Sequence, residues 1–245
     1  MFVPSCFPSK LQHQDQRLAS PFSLLVWNIH KENQQSTFSN TLKDLLREYP
    51  SDFLLFQEIK HSKQQHTYAF QNYSYALASN IETTKHLYGV ITAAKVAFEQ
   101  VQTSISTQRE MGGIATHKSL LITEHLLPNN TPLYLVNLHA INFVSLKSFT
   151  LELEKIEQHL LQYEGSMIIG GDFNNWSRRR VKVLDAFQSN LGLKKADIEA
   201  AHHVKAIFSK PIDHLFYRGV TLIKAEAIDT KKVSDHNPIY AEFSF

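Results

Sequence analysis

The stretch Gly170-Gly171-Asp172-Phe173-Asn174-Asn175-Trp176, following the apolar run Ser166-Met167-Ile168-Ile169, decides how the rest of the chain is read. A short apolar run bounded by turn residues reads as a fully buried strand. Gly170 and Gly171 are expected to end that strand, because residues without a Cβ let the backbone turn at positive φ. Asp172 and Asn174 are then delivered at the strand's C-terminal edge, where α/β proteins build their sites. The carboxylate accepts hydrogen bonds, while the amide both donates and accepts. Taken alone, the stretch is also an ordinary Gly-Asp-Asn turn between a strand and a helix. The flanking sequence has to separate the two readings.

Downstream, residues 177–189 read as a helix, and Pro211-Ile212-Asp213-His214 leads into a strand over 214–217. Strands over 221–227 and 239–243 follow, joined by Val233-Ser234-Asp235-His236-Asn237-Pro238, a loop that its proline restrains. Upstream, a strand from Leu133 to Leu138 ends on His139, and Ser145 opens a helix with Phe149, Leu153, Ile156 and Leu160 on one face. Residues 73–126 carry short runs (87–93, 97–105, 113–122) without helical period, which predicts an antiparallel meander. Near the start, a strand over 22–29 presents Asn28 at its end. Ser36 or Ser39 is expected to cap a helix to about Glu48, with Phe38, Leu42, Leu45 and Leu46 on one face and Tyr49-Pro50 as its stop. A second buried strand over 52–57 places Glu58 just past its end.

No Gly/Ser/Pro linker or internal repeat divides the chain. The expected organisation is an N-terminal arm, residues 1–21, followed by a single domain, residues 22–245. Helices set between mixed strands predict an α/β or α+β sandwich rather than a purely parallel sheet.

Composition narrows the function classes. A chain of 245 residues, 43% hydrophobic and 20% charged, holds a sizeable core and is neither disordered nor collagen-like. Its formal net charge of +2 supplies no global basic field, so a phosphate-binding surface has to be local. The lone Cys6 forms no intrachain disulfide and suits a reducing compartment. Pro4, Cys6, Pro8 and the polar run after them interrupt any secretory core, and no apolar run approaches the roughly 18 residues that cross a bilayer. A cytoplasmic monomer is expected, with Phe2, Val3 and Phe7 available to pack the arm onto the domain.

The polar residues that follow apolar strands form one set: Asn28, Glu58, His139, Asp172, Asn174, Asp213, Asp235 and His236. Carboxylates dominate it and cysteine is missing, so Mg²⁺ or Mn²⁺ suits it better than zinc. Carboxylates and histidine around a hard cation fit phosphoryl transfer, in which a positioned base prepares water.

The motifs Trp27-Asn28, Gln57-Glu58, Asn137-Leu138-His139, Gly171-Asp172-Phe173-Asn174, Ile212-Asp213-His214 and Ser234-Asp235-His236 resemble, in order, those of the endonuclease/exonuclease/phosphatase (DNase I-like) superfamily. They span residues 27–236. The strings over 137–143, 175–180 and 216–219 look more specifically like its YafD-like bacterial branch. The resemblance implies a four-layer α/β/β/α sandwich with its site at one end. It implies Glu58 as principal metal ligand, with Asn28 and Asp235 beside it. Asp172 and Asn174 would position water or phosphate, and His236 would act as general base or cationic phosphate contact, oriented by Asp213. His139 falls where the DNase I and sphingomyelinase groups carry a second phosphate-binding histidine.

Arg178, Arg179 and Arg180 follow the central loop directly. Guanidinium matches phosphate, and cations at a helix N-terminus are otherwise disfavoured. Successive helical side chains fan apart by roughly 100°, so one of the three, Arg178, is taken as the phosphate contact. Trp27 and Trp176 are read as packing beneath the site, and His30 and Lys31 are given no role. The leading expectation is a metal-dependent phosphodiesterase or phosphomonoesterase acting on nucleic acid. The alternatives are cleavage of phosphoinositide or sphingolipid headgroups, and a catalytically silent phosphate-binding module.

Overall fold

The computed structural model describes residues 8–13, 16–64, 68–105 and 118–245. Phe2, Val3, Phe7 and part of the 113–122 run lie outside the described residues. Two mixed sheets form the centre. The first has the order Ser9–Lys10, Ser74–Glu82, His86–Ala94, Phe53–Ser62, Phe22–Asn28, Ile239–Ser244, Thr221–Ala227. The second has the order Lys194–Lys195, Asp213–Arg218, Ser166–Asp172, Pro132–His139, Ser119–Leu126, Gln100–Ile105.

Each sheet holds one parallel pair, and each pair needs a crossover helix. Helix α1, Ser36–Glu48, joins Phe22–Asn28 to Phe53–Ser62, and helix α2, Leu146–Leu160, joins Pro132–His139 to Ser166–Asp172. Strand alternation sorts the side chains. Leu24 and Val26 pack between the sheets with Phe53, Leu135, Ile168 and Leu215. Their neighbours Leu25 and Trp27 face outward onto Phe38, Leu42 and Leu45 of α1. On the far side, α2 and helix α3, Arg178–Asn190, bury Phe149, Leu153, Leu184 and Phe187 against the second sheet. The result is the four-layer α/β/β/α sandwich.

Several local expectations differ. The strand Ser166–Asp172 runs through both glycines and does not end at them. They serve close approach instead: a Cβ on Gly171, whose φ is 147°, would sit 1.9 Å from the Leu138 carbonyl oxygen, and one on Gly170 would sit 2.8 Å from Val26. Neither Ser36 nor Ser39 caps α1; Gln35 occupies that position without a side-chain bond. Ser145 does cap α2, accepting from the Ser148 N–H. The meander is divided, with 74–82 and 86–94 in the first sheet and 100–105 and 119–126 in the second. Short alternating runs fix which faces are apolar but not which sheet a strand joins. Ser9–Lys10 pairs with Tyr75 and Ala76, and Leu18 is buried between the sheets. None of the described helices is long and apolar enough to cross a membrane.

Candidate active site

Strand register brings the polar residues together. Asp213 pairs with Asp172, and Asp172 pairs with His139, so three site residues share one rung across three strands of the second sheet. In the first sheet Asn28 pairs with Gln57, which puts Glu58 at the same end of the sandwich. The loop carrying His236 precedes Ile239, which pairs with Val26, and so lands beside Asn28. Ser234 Oγ donates to the Asn28 carbonyl and accepts from the His236 N–H, while Trp27 Nε1 donates to the His236 carbonyl.

Glu58 is not past the end of a strand. The strand runs from Phe53 to Ser62, and a register shift between Phe56 and Ile59 leaves Glu58 on a bulge with φ 56°. A bulge re-aims one side chain without ending the sheet, and bulges gather next to active sites. Positive φ at a glutamate is a strained choice, held here by the Lys31 N–H, which donates to the Glu58 carbonyl.

The titratable groups then form a continuous chain. Glu58 Oε1 lies 3.9 Å from His139 Nε2, and Asp172 Oδ2 lies 3.7 Å from the same nitrogen. His236 Nε2 is 3.8 Å from Asp172 Oδ2, and His236 Nδ1 is 2.7 Å from Asp213 Oδ2. Asn28 Nδ2 donates to Asp172 Oδ2 at 3.1 Å. Asn174 sits at φ 49°, a conformation asparagine tolerates, with its N–H on Asp172 Oδ1 and its Nδ2 on the Ala140 carbonyl. Asp235 stands at the solvent side, 48% exposed, 3.9 Å from His236 Nε2 and paired with Lys205.

Environment separates these groups. Burial alone would raise the Glu58 carboxyl, but the Lys118 and Lys31 ammonium groups beside it hold it below its ordinary value. Burial and the Lys118 ammonium push His139 well below its ordinary value, so its ring is neutral. Burial and the neighbouring Asp213 hold the Asp172 carboxyl well above the usual carboxylate range, although His236 opposes them. Burial would lower His236, but Asp213 and the other two aspartates lift it to about 9. Neighbouring groups pushed apart in this way are the mark of an acid–base site.

Four residues without an assigned role in the sequence matter here. Lys31 pairs with Glu58, and Lys118 Nζ lies 3.0 Å from His139 Nε2. Gln57 Nε2 donates to Asn137 Oδ1, and Asn137 Nδ2 donates to the Phe56 and Ile91 carbonyls, locking the sheets together behind the site. The Gln-Glu and Asn-Leu-His motifs contain that amide pair, whereas nothing in the sequence marks the two lysines. Of the arginines, Arg180 is buried, donating to the Asn174 and Val144 carbonyls; Arg178 and Arg179 are exposed. Trp27 is buried packing, but Trp176 is only partly buried.

The donor set suits a hard divalent cation. Glu58 stays ionised at any ordinary pH and draws two ammonium groups around it, so the position already favours positive charge. Asp172, Asp213 and His236 also present ligand atoms within 4.8 Å of one another.

Two packed sheets flanked by helices, with this end-on constellation, define a DNase I-like protein. The chain belongs to the Endonuclease/Exonuclease/phosphatase family, whose profile matches residues 25–236. It is 34% identical over 222 residues to a UPF0294 protein of Yersinia enterocolitica, a match covering 90% of this chain and 82% of that one. Its fold is similar to that of D. rerio TDP2 in complex with a single strand DNA product, with TM-score 0.60, 18% identity, and 93% and 100% of the two chains covered. The mannosyl-6-phosphatase of Bacteroides thetaiotaomicron superposes with TM-score 0.64, 16% identity, and 91% and 100% covered. Membership supports a phosphoester-hydrolysing activity.

Proposed function

We propose that this chain is a divalent-metal-dependent phosphodiesterase acting on nucleic acid. The observation that carries the reading is the unbroken chain Glu58–His139–Asp172–His236–Asp213, with each step 3.9 Å or less. Mg²⁺ or Mn²⁺ held by Glu58 and Asn28, with Asp235 as a further carboxylate, would supply charge neutralisation at the phosphate oxygens. Asp172, whose carboxyl is held above the usual carboxylate range by burial and Asp213, accepts a proton from the attacking water. His236, kept cationic by Asp213, places positive charge against the phosphate as negative charge develops. Neutral His139 and the second N–H of the Asn174 amide orient the phosphate oxygens, and Arg178 supports the flanking chain. The single cysteine favours a reducing compartment, in keeping with a cytoplasmic enzyme.

The test is a substrate panel with Mg²⁺ or Mn²⁺, comparing wild type with His236→Ala. The panel contains plasmid, single-stranded and abasic DNA, RNA, phosphoinositide and sphingomyelin. Nucleic acid is expected to be turned over fastest, with His236→Ala slower by roughly 10²–10⁴-fold. Faster cleavage of the lipid headgroups, or equal rates for the two proteins, overturns the reading.

A further inference from the structure

We propose that the groove beside Trp176 and Phe208 is a stacking subsite for an unpaired nucleobase, seating single-stranded nucleic acid next to the reacting phosphate. This rests on the phosphodiesterase reading and names the form of its substrate. The groove, about 420 Å³, is lined by Trp176, Ser177, Arg178, Phe208, Ser209 and Lys210. That volume falls within the range of small-ligand sites. Both walls leave the catalytic centre directly: Trp176 comes two residues after Asn174, and Lys210 three before Asp213.

The wall from Phe208 puts a bulky side chain where the turn favours asparagine or glycine. Ala206 pairs with Pro211 and Ile207 with Lys210, so Phe208 and Ser209 form a two-residue hairpin turn. Both have positive φ, 49° and 60°, where asparagine and glycine are the favoured residues. A phenylalanine there is a steric outlier, yet its side chain is 80% exposed. Phe143 repeats the pattern, with φ 48° and 68% exposure, next to the Asn142 that accepts from Trp176 Nε1 at 2.9 Å. Strain that projects two aromatic rings into solvent beside a reaction centre points to a ligand.

Trp176 makes a platform beside Phe208, anchored by its bond to Asn142. The buried Arg180 guanidinium lies 4.5 Å from its ring, and Phe208 meets it edge-on at 6.1 Å. Arg178 and Lys210 add cations at the rim. Aromatic faces interleaved with cations are the recognition chemistry of unpaired bases on a phosphate backbone. Ser177, Ser209 and the cations break the apolar surface that insertion into a lipid layer would use.

The test is fluorescence anisotropy of a labelled oligothymidylate with the full chain carrying His236→Ala, so that binding is read without turnover. Adding Phe208→Ala should weaken binding by about 5- to 150-fold, and Phe208→Tyr should restore it. Arg178→Ala should flatten the logarithmic salt dependence by roughly 0.7. If neither Phe208→Ala nor Arg178→Ala changes binding, the subsite is wrong even where phosphodiesters are still cleaved. Tighter binding to phosphatidylserine vesicles than to the oligonucleotide, lost in Phe208→Ala, also overturns it. Oligonucleotide binding that depends on Phe208 in a chain that cleaves nothing supports the subsite and removes the catalytic reading alone.

Discussion

His236 Nδ1 lies 2.7 Å from Asp213 Oδ2, and this contact joins a loop between two strands of the first sheet to the opening residue of a strand in the second. Both side chains are buried, so the pair exchanges its charge in a medium that screens weakly. Asp213 therefore sets the protonation of His236. Replacing it by Asn should lower the His236 pKa from about 9 by roughly 1–3 units, moving the alkaline limb of the pH–rate profile to lower pH by that amount. A profile with both limbs in place would show that Asp213 does not act through His236.

Gly171 and Gly192 both have positive φ, but only Gly171 is crowded. Gly192→Ala meets nothing within 4 Å and should cost roughly 1–2 kcal/mol for its backbone alone. Gly171→Ala drives a Cβ to 1.9 Å from the Leu138 carbonyl oxygen and should cost above about 4 kcal/mol or prevent folding. Urea denaturation of the two variants separates the cases, and similar midpoints would contradict the close approach.

The Gln57–Asn137 amide pair is fully buried. Removing either partner strands polar atoms, so Gln57→Leu and Asn137→Leu should each destabilise by about 1–3 kcal/mol. In the double variant the losses should fall short of additive by about 0.5 kcal/mol or more, as for residues in one network. A double-mutant cycle from denaturation data checks this, and strict additivity would mean the pair does not act as a unit.

Acid should weaken the fold independently of the site. His125 is fully buried, its Nδ1–H donating to the Ala97 carbonyl, and burial lowers it to about 4. Burial likewise lowers His214, bonded to Asn175, to about 3. Between those values and the ordinary 6.5, the unfolded chain binds protons that the folded chain does not. Stability therefore falls as pH falls, with no contribution from these groups above pH 6.5. Two such histidines predict a loss of about 3 kcal/mol from pH 6.5 to pH 5, which the raised carboxyl of Asp172 opposes in part. Melting curves across that range, with His125→Gln as control, test the slope.

Much of the frame was legible because apolar runs and their periods report burial directly. The run before Gly170, the face Phe149–Leu153–Ile156–Leu160 and the Ser145 cap all appear in the structure as expected. Other features depend on what lies across the sheet. A bulge at Glu58 leaves no trace in the period of its own strand, and the glycines at 170 and 171 answer to Val26 and Leu138, which are distant in sequence. The inward turn of Arg180 depends on carbonyls from two separate loops, so three consecutive arginines look alike in the sequence. Lys31 and Lys118 carry no motif, and only the convergence of strands brings them to Glu58 and His139. Asn28, His139 and Asp172 were legible as polar ends of apolar strands, whereas Glu58 lies within its strand and the order along the rung came from register.

The most direct measurement is calorimetric titration of Mg²⁺ into wild type and Glu58→Gln, paired with hydrolysis of a single-stranded oligonucleotide by the same samples. The account predicts saturable Mg²⁺ binding and turnover in wild type, with both severely reduced in Glu58→Gln and folding unchanged. Equal Mg²⁺ binding and equal hydrolysis in the two proteins would contradict it.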